Sequence, residues 1–137
     1  TERAEAAAER LRTLASQALA LPDGECEILY GRCGYIHAAL LARRTLGPDA
    51  VPDEILRELV TQILREGMRK ADASPSLRSY GLMYEWHEKP FLGGAHGLAG
   101  VALTLLQCED VLGELPEAAR LRELLHALMR VCFQDGN

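Results

Sequence analysis

The chain has 137 residues, 48% of them apolar and 26% charged, with a formal net charge of -5 at pH 7. That is the usage of one ordinary folded, water-compatible domain and excludes a disordered tail. Acids and arginines are interleaved, so no basic stripe exists to follow a nucleic-acid backbone, and the longest apolar runs fall well short of the ~20 residues a bilayer crossing needs.

Leu11, Leu14, Ala15, Ala18 and Leu19 recur at helical spacing. They predict a one-sided helix over about Arg3 to Ala20, ended by Leu21-Pro22-Asp23-Gly24. From Glu27 to Arg44 apolar residues leave hardly any polar face, which predicts a buried helix closed by Leu46-Gly47-Pro48. Val51-Pro52-Asp53-Glu54 opens a third, with Ile55, Leu56, Leu59, Val60, Ile63 and Leu64 on one stripe. Periodicity is lost between Asp72 and Gly94, a length at which an irregular loop is often functional. Leu98 to Leu106 then reads as a second buried helix. Leu115-Pro116-Glu117 opens another one-sided helix, with Leu121, Leu124, Leu125, Leu128, Met129 and Cys132 on its stripe. No segment alternates with the period of a strand.

The order buried, amphipathic, buried, amphipathic is an internal repeat. Gly31-x-x-Gly34 returns as Gly97-x-x-Gly100, and Leu56-Arg57-Glu58-Leu59 returns as Leu121-Arg122-Glu123-Leu124. The expected fold class is therefore all-α, built from helical hairpins arranged as an arc of an α/α toroid. The whole of residues 1–137 forms one segment, with repeat one at about 25–71 and repeat two at about 93–133. Thr1 in place of an initiator Met reads as the start of a segment within a longer product. No secretory leader opens the chain, and the expected compartment is the cytoplasm, with peripheral membrane association open to the parent protein.

Cys26, Cys33, Cys108 and Cys132 include no CxxC pair and no Cys-His dipeptide. They read as buried free thiols, not as a disulfide framework or local zinc cluster. The glycines Gly31, Gly34, Gly97 and Gly100 let a neighbouring backbone or a ligand approach the helix they border, and plain helix packing explains them equally well. His96 follows Gly93-Gly94-Ala95 and precedes the second buried helix. A helix N-terminus favours the neutral imidazole, which can exchange a proton near neutral pH; a capping or core histidine is the alternative. Tyr30 and Arg32 flank Gly31 and are candidates for the same cavity. Tyr84-Glu85-Trp86-His87-Glu88-Lys89 gathers aromatic, imidazole, carboxylate and amine groups in the irregular stretch. Glu85 and Glu88 could serve as paired glycosidase acids or simply edge a solvated loop. His37 and His126 read as packed residues of apolar helices.

The stretches Glu25-Cys26-Glu27-Ile28-Leu29-Tyr30-Gly31-Arg32-Cys33-Gly34-Tyr35, Met83-Tyr84-Glu85-Trp86-His87-Glu88-Lys89 and Gly93-Gly94-Ala95-His96-Gly97-Leu98-Ala99-Gly100, in this order, resemble eukaryotic LanC-like (lanthionine synthetase C-like) proteins. The resemblance implies a double ring of seven helical hairpins, of which this chain covers about a third. It also implies binding of glutathione and addition of its thiol to dehydroamino acids in peptides or proteins. His96 would be the proton-transfer residue, Arg32 a weaker catalytic candidate, and Tyr30, Trp86 and Lys89 substrate contacts. The family's zinc is held by Cys and His segments that this sequence lacks, so no metal or other cofactor is expected in this chain, and alone it is expected to be inactive. An incomplete ring also exposes apolar inner-helix surface, which predicts self-association or marginal stability. A helical-repeat binding module without catalysis and a toroid glycosidase are the alternative functions.

Overall fold

The computed structural model describes residues 1–113 and 115–132, the Cys132 side chain excepted. The last residue of the expected second repeat, at 133, lies outside the described residues. The fold is all-helical, with no strand among the described residues: α1 Glu2–Leu19, α2 Arg32–Leu46, α3 Asp53–Asp72, α4 Pro75–Arg78, α5 Leu98–Leu106, α6 Glu109–Leu112 and α7 Ala119–Cys132. Short 3₁₀ turns at Pro48–Ala50 and Pro116–Ala118 lead towards α3 and α7.

Thr1 caps α1, its hydroxyl accepting the Ala4 N–H at 3.3 Å, with Glu2 and Glu5 beside the positive end of the helix dipole. The helix lies on α2, where the Tyr35 hydroxyl donates to the Leu11 carbonyl at 2.7 Å. α2 and α3 form the first hairpin, α5 and α7 the second. The core runs between them through Ile36, Leu59, Val60, Ile63, Leu64, Leu98, Val101, Leu105 and Leu124, all essentially without solvent contact. α2 and α5 lie side by side, with His37 Nε2 2.9 Å from the Thr104 hydroxyl, which also donates to the Gly100 carbonyl at 2.9 Å.

Two expectations change. The first buried helix starts at Arg32, not Glu27, because Gly31 is extended and the Glu27 carboxylate accepts the N–H groups of Leu29 and Tyr30, which holds 27–30 in a turn. The inner helices carry exposed apolar residues, the surface expected of a partial ring. Leu41 is 59% exposed, Leu103 50% and Leu106 45%, so each keeps an apolar face that no described residue covers. His126, expected to be packed, stands on the exposed side of α7, while His37 is half-buried.

The stretch from 72 to 94 is less irregular than its sequence. After α4, Leu82, Met83 and Tyr84 are buried under α3. The Met83 N–H donates to the Gly67 carbonyl at 3.0 Å and the Tyr84 hydroxyl to the Ile63 carbonyl at 2.8 Å. Gly67 makes room for this: a Cβ there would lie 2.5 Å from Cζ of the Tyr84 ring. The chain then reverses at Trp86-His87-Glu88-Lys89, where His87 (φ 48°) and Glu88 (φ 61°) are both left-handed. Trp86 and Lys89 exchange backbone hydrogen bonds of 3.0 and 3.2 Å across that turn.

Candidate functional site

Both inner helices begin in the same way. The first-turn N–H groups of a helix lack intrahelical partners, and here a loop folded back across the helix mouth supplies them. Arg32 N–H donates to Glu25 O at 2.9 Å and Cys33 N–H to Cys26 O at 3.3 Å. One repeat later Leu98 N–H donates to Phe91 O at 2.9 Å and Ala99 N–H to Leu92 O at 3.1 Å. This is the use of the paired glycines. A Cβ on Gly31 would lie 2.5 Å from the Glu27 nitrogen, and one on Gly97 2.5 Å from the Phe91 carbonyl carbon. At Gly34 and Gly100 it would strike the carbonyl oxygens of Ile28 and Gly94. The glycines thus accommodate the capping loops rather than a second helix.

The two loops run side by side, joined by the Ile28 N–H donating to the Ala95 carbonyl at 3.2 Å, and where they meet Glu27 reaches His96. The Glu27 carboxylate is 3% exposed and accepts the N–H of Leu29 at 2.9 Å, the N–H of Tyr30, and His96 Nδ1 at 2.7 Å. A carboxylate only accepts hydrogen bonds, so Nδ1 carries the proton and Nε2 is the nitrogen left for chemistry. The imidazole stays about a quarter exposed. Trp86 lies flat on it, ring centroids 3.9 Å apart and planes within 5°. Tyr30, 71% exposed, is parallel to Trp86 at 6.5 Å, and Phe91 tilts against both Trp86 and His96.

The sequence candidates therefore separate. His96, Trp86 and Tyr30 come together; Lys89 stands exposed on the turn beside them. Arg32 is 4% exposed and its guanidinium holds the first loop: Nε donates to Gln62 at 3.0 Å, Nη1 to the Pro22 carbonyl at 3.3 Å and to Glu66 at 3.4 Å, and Nη2 to the Leu21 carbonyl. Its place is under the loop that carries Glu27. Glu85 is ion-paired with Lys70 at 2.6 Å and Glu88 sits exposed on the turn. A cleft of about 570 Å³ opens beside the turn, between the end of α3 and residues 83–88. Glu27 is the residue that sequence reasoning missed. Its signal is a single acid at the head of the apolar run before Gly31, where the helical pattern of that run conceals the turn.

Among the described residues no three His, Cys, Asp or Glu side chains converge on a point that could hold a metal ion. The described cysteines are buried thiols: burial pushes Cys33 up to about 12 and Cys108 to about 11, and raises Cys26 well above the usual range with the Glu66 carboxylate adding to it. With no second and third donor beside any of them, the described residues do not fit a thiolate metal site.

Stacked helical hairpins whose glycine-lined mouths bring a histidine and a buried carboxylate together place the chain in the α/α-toroid class. The profile of the lanthionine synthetase C-like protein family matches residues 1–136, and the chain belongs to that family. It is similar to the Danio rerio protein called glutathione S-transferase LANCL1, 27% identical over 117 residues, which cover 85% of this chain and 28% of that protein. It is also 41% identical over 83 residues to the Arabidopsis thaliana LanC-like protein GCL1, covering 58% of this chain and 18% of the relative. The chain spans less than a third of the length of either. No described helix is long and apolar enough to cross a membrane.

Proposed function

We propose that this chain carries the proton-transfer part of an enzyme that adds the thiol of glutathione to dehydroamino acids in peptides or proteins. The observation that carries the reading is the 2.7 Å pairing of His96 Nδ1 with the buried Glu27 carboxylate. In the addition, sulfur bonds to the β-carbon of the dehydroamino acid, the carbon–carbon double bond shifts its electrons to an enolate, and the α-carbon takes a proton. An imidazole whose Nδ1–H is held by a carboxylate can take up on Nε2 the proton the thiol gives off and, as imidazolium, deliver it to the α-carbon, since the carboxylate fixes the tautomer and stabilises the charged ring. The choice of thiol follows from the name of the Danio rerio relative and the family assignment. The described residues bring together no three His, Cys, Asp or Glu side chains for a metal that would activate the thiol, and the chain alone is expected not to turn over.

The test is thioether formation from glutathione and a dehydroalanine peptide, followed by mass spectrometry in a protein carrying this segment together with the family's metal-binding segments. His96→Ala is expected to lower turnover about 10²-fold or more, the scale of a positioned acid–base group, with metal content unchanged. Full turnover in that variant would refute the reading.

A further inference from the structure

A hydrogen bond at Nδ1 does not by itself fix an imidazole. The ring can still swing about the Nδ1···O axis, and the terminal torsion of histidine has broad wells. Either motion moves Nε2 away from any substrate atom it serves. The second restraint is Trp86, whose ring covers one face of the imidazole at 3.9 Å and within 5° of parallel. Phe91, 6.1 Å from Trp86 and 6.2 Å from His96, buttresses both.

Trp86 is itself held from α3. Tyr84 is tied to the Ile63 carbonyl and Glu85 to Lys70, so the backbone entering Trp86 is anchored on a long helix. The chain leaves it through a turn with two left-handed non-glycine residues, a conformation that persists only when its surroundings over-determine it. The edge of the indole meets the His87 ring at 4.2 Å and 83°.

From this geometry we infer that Trp86 is a positioning residue for His96: its stack keeps the imidazole in the plane that joins Nδ1–H to Glu27 and presents Nε2 outward. Trp86 then acts through the histidine and not by holding substrate. The inference rests on the proton-transfer reading for its catalytic consequence, while its structural core stands apart from it.

The experiment uses the chain labelled with ¹⁵N-histidine, as wild type, Trp86→Leu and Trp86→Phe. In wild type the His96 Nδ1–H is expected to exchange slowly with water. Trp86→Leu should speed that exchange about tenfold or more through local opening, while the Leu98 amide, which donates to the Phe91 carbonyl at the start of α5, keeps its protection. Trp86→Phe retains a flat ring and should restore most of the protection. In a protein competent for thioether formation, Trp86→Leu should lower kcat about tenfold with KM little changed, as expected for a misaimed acid, and Trp86→Phe should recover most of it. Unchanged Nδ1–H exchange in Trp86→Leu overturns the inference. If that variant does not fold, the Phe variant decides, and exchange as fast as that of free histidine there also overturns it. Exchange that follows Trp86 while His96→Ala keeps full turnover in the competent protein leaves the positioning role standing and removes the proton-transfer reading instead.

Discussion

Removing the Glu27 carboxylate tests whether the meeting of the two loops holds the fold as well as the chemistry. Glu27 is 3% exposed and its two oxygens accept three N–H groups, from Leu29, Tyr30 and His96. Hydrogen bonds to a charged group contribute roughly 1.5–3 kcal/mol each, but Tyr30 and Leu29 are exposed enough for water to replace part of what is lost. The expected net loss for Glu27→Ala is therefore about 2–4 kcal/mol. For a chain of this size that corresponds to a fall in Tm on the order of 10 °C. Glu27→Gln keeps the shape and one accepting oxygen, so it should lose about half as much while still disturbing the His96 tautomer, since an amide nitrogen can face Nδ1. Thermal and urea unfolding followed by circular dichroism measure both. A Glu27→Ala chain within ~0.5 kcal/mol of wild type, the range of an ordinary surface substitution, would refute the reasoning.

Other consequences follow from the same geometry. Gly97→Ala places a Cβ against the backbone of residues 91 and 93, and backbone cannot swing aside, so a loss of about 3 kcal/mol or more is expected by urea titration; a tolerated alanine would mean that the loop does not lie across the helix mouth. His87→Asn with Glu88→Gly gives the turn residues that accept positive φ and should stabilise the chain by about 1–2 kcal/mol in the same titration. In the native chain Cys26, Cys33 and Cys108 should resist iodoacetamide at pH 8, because alkylation needs the thiolate and burial raises all three pKa values well above that pH. Mass spectrometry of a Cys132→Ser chain should find modification only after unfolding. Sedimentation should show mass rising with concentration, and Leu103→Glu with Leu106→Glu should reverse it by charging the exposed face of α5.

The five longer helices and their order are legible in the sequence, because an apolar stripe repeats every three or four residues and any short window contains the whole signal, whereas the single turns α4 and α6 are too short to show it. The sequence by itself also determined the repeat, since Gly31-x-x-Gly34 and Gly97-x-x-Gly100 match at the level of letters. What those glycines are for was decided only by tertiary structure. They border a loop whose carbonyls cap the helix, and a capping loop has no periodicity to read. The start of α2 differs for the same reason: Ile28, Leu29 and Tyr30 look helical, but the Ile28 N–H goes to the Ala95 carbonyl and those of Leu29 and Tyr30 to the Glu27 carboxylate. His96 was legible from its glycine-rich setting, but its partner was not. Glu27 and His96 belong to different repeats, and nothing local to either residue encodes that two equivalent loops cross. Only the packing of α2 beside α5 sets that crossing, and with it the carboxylate under Nδ1 and the indole on the ring face.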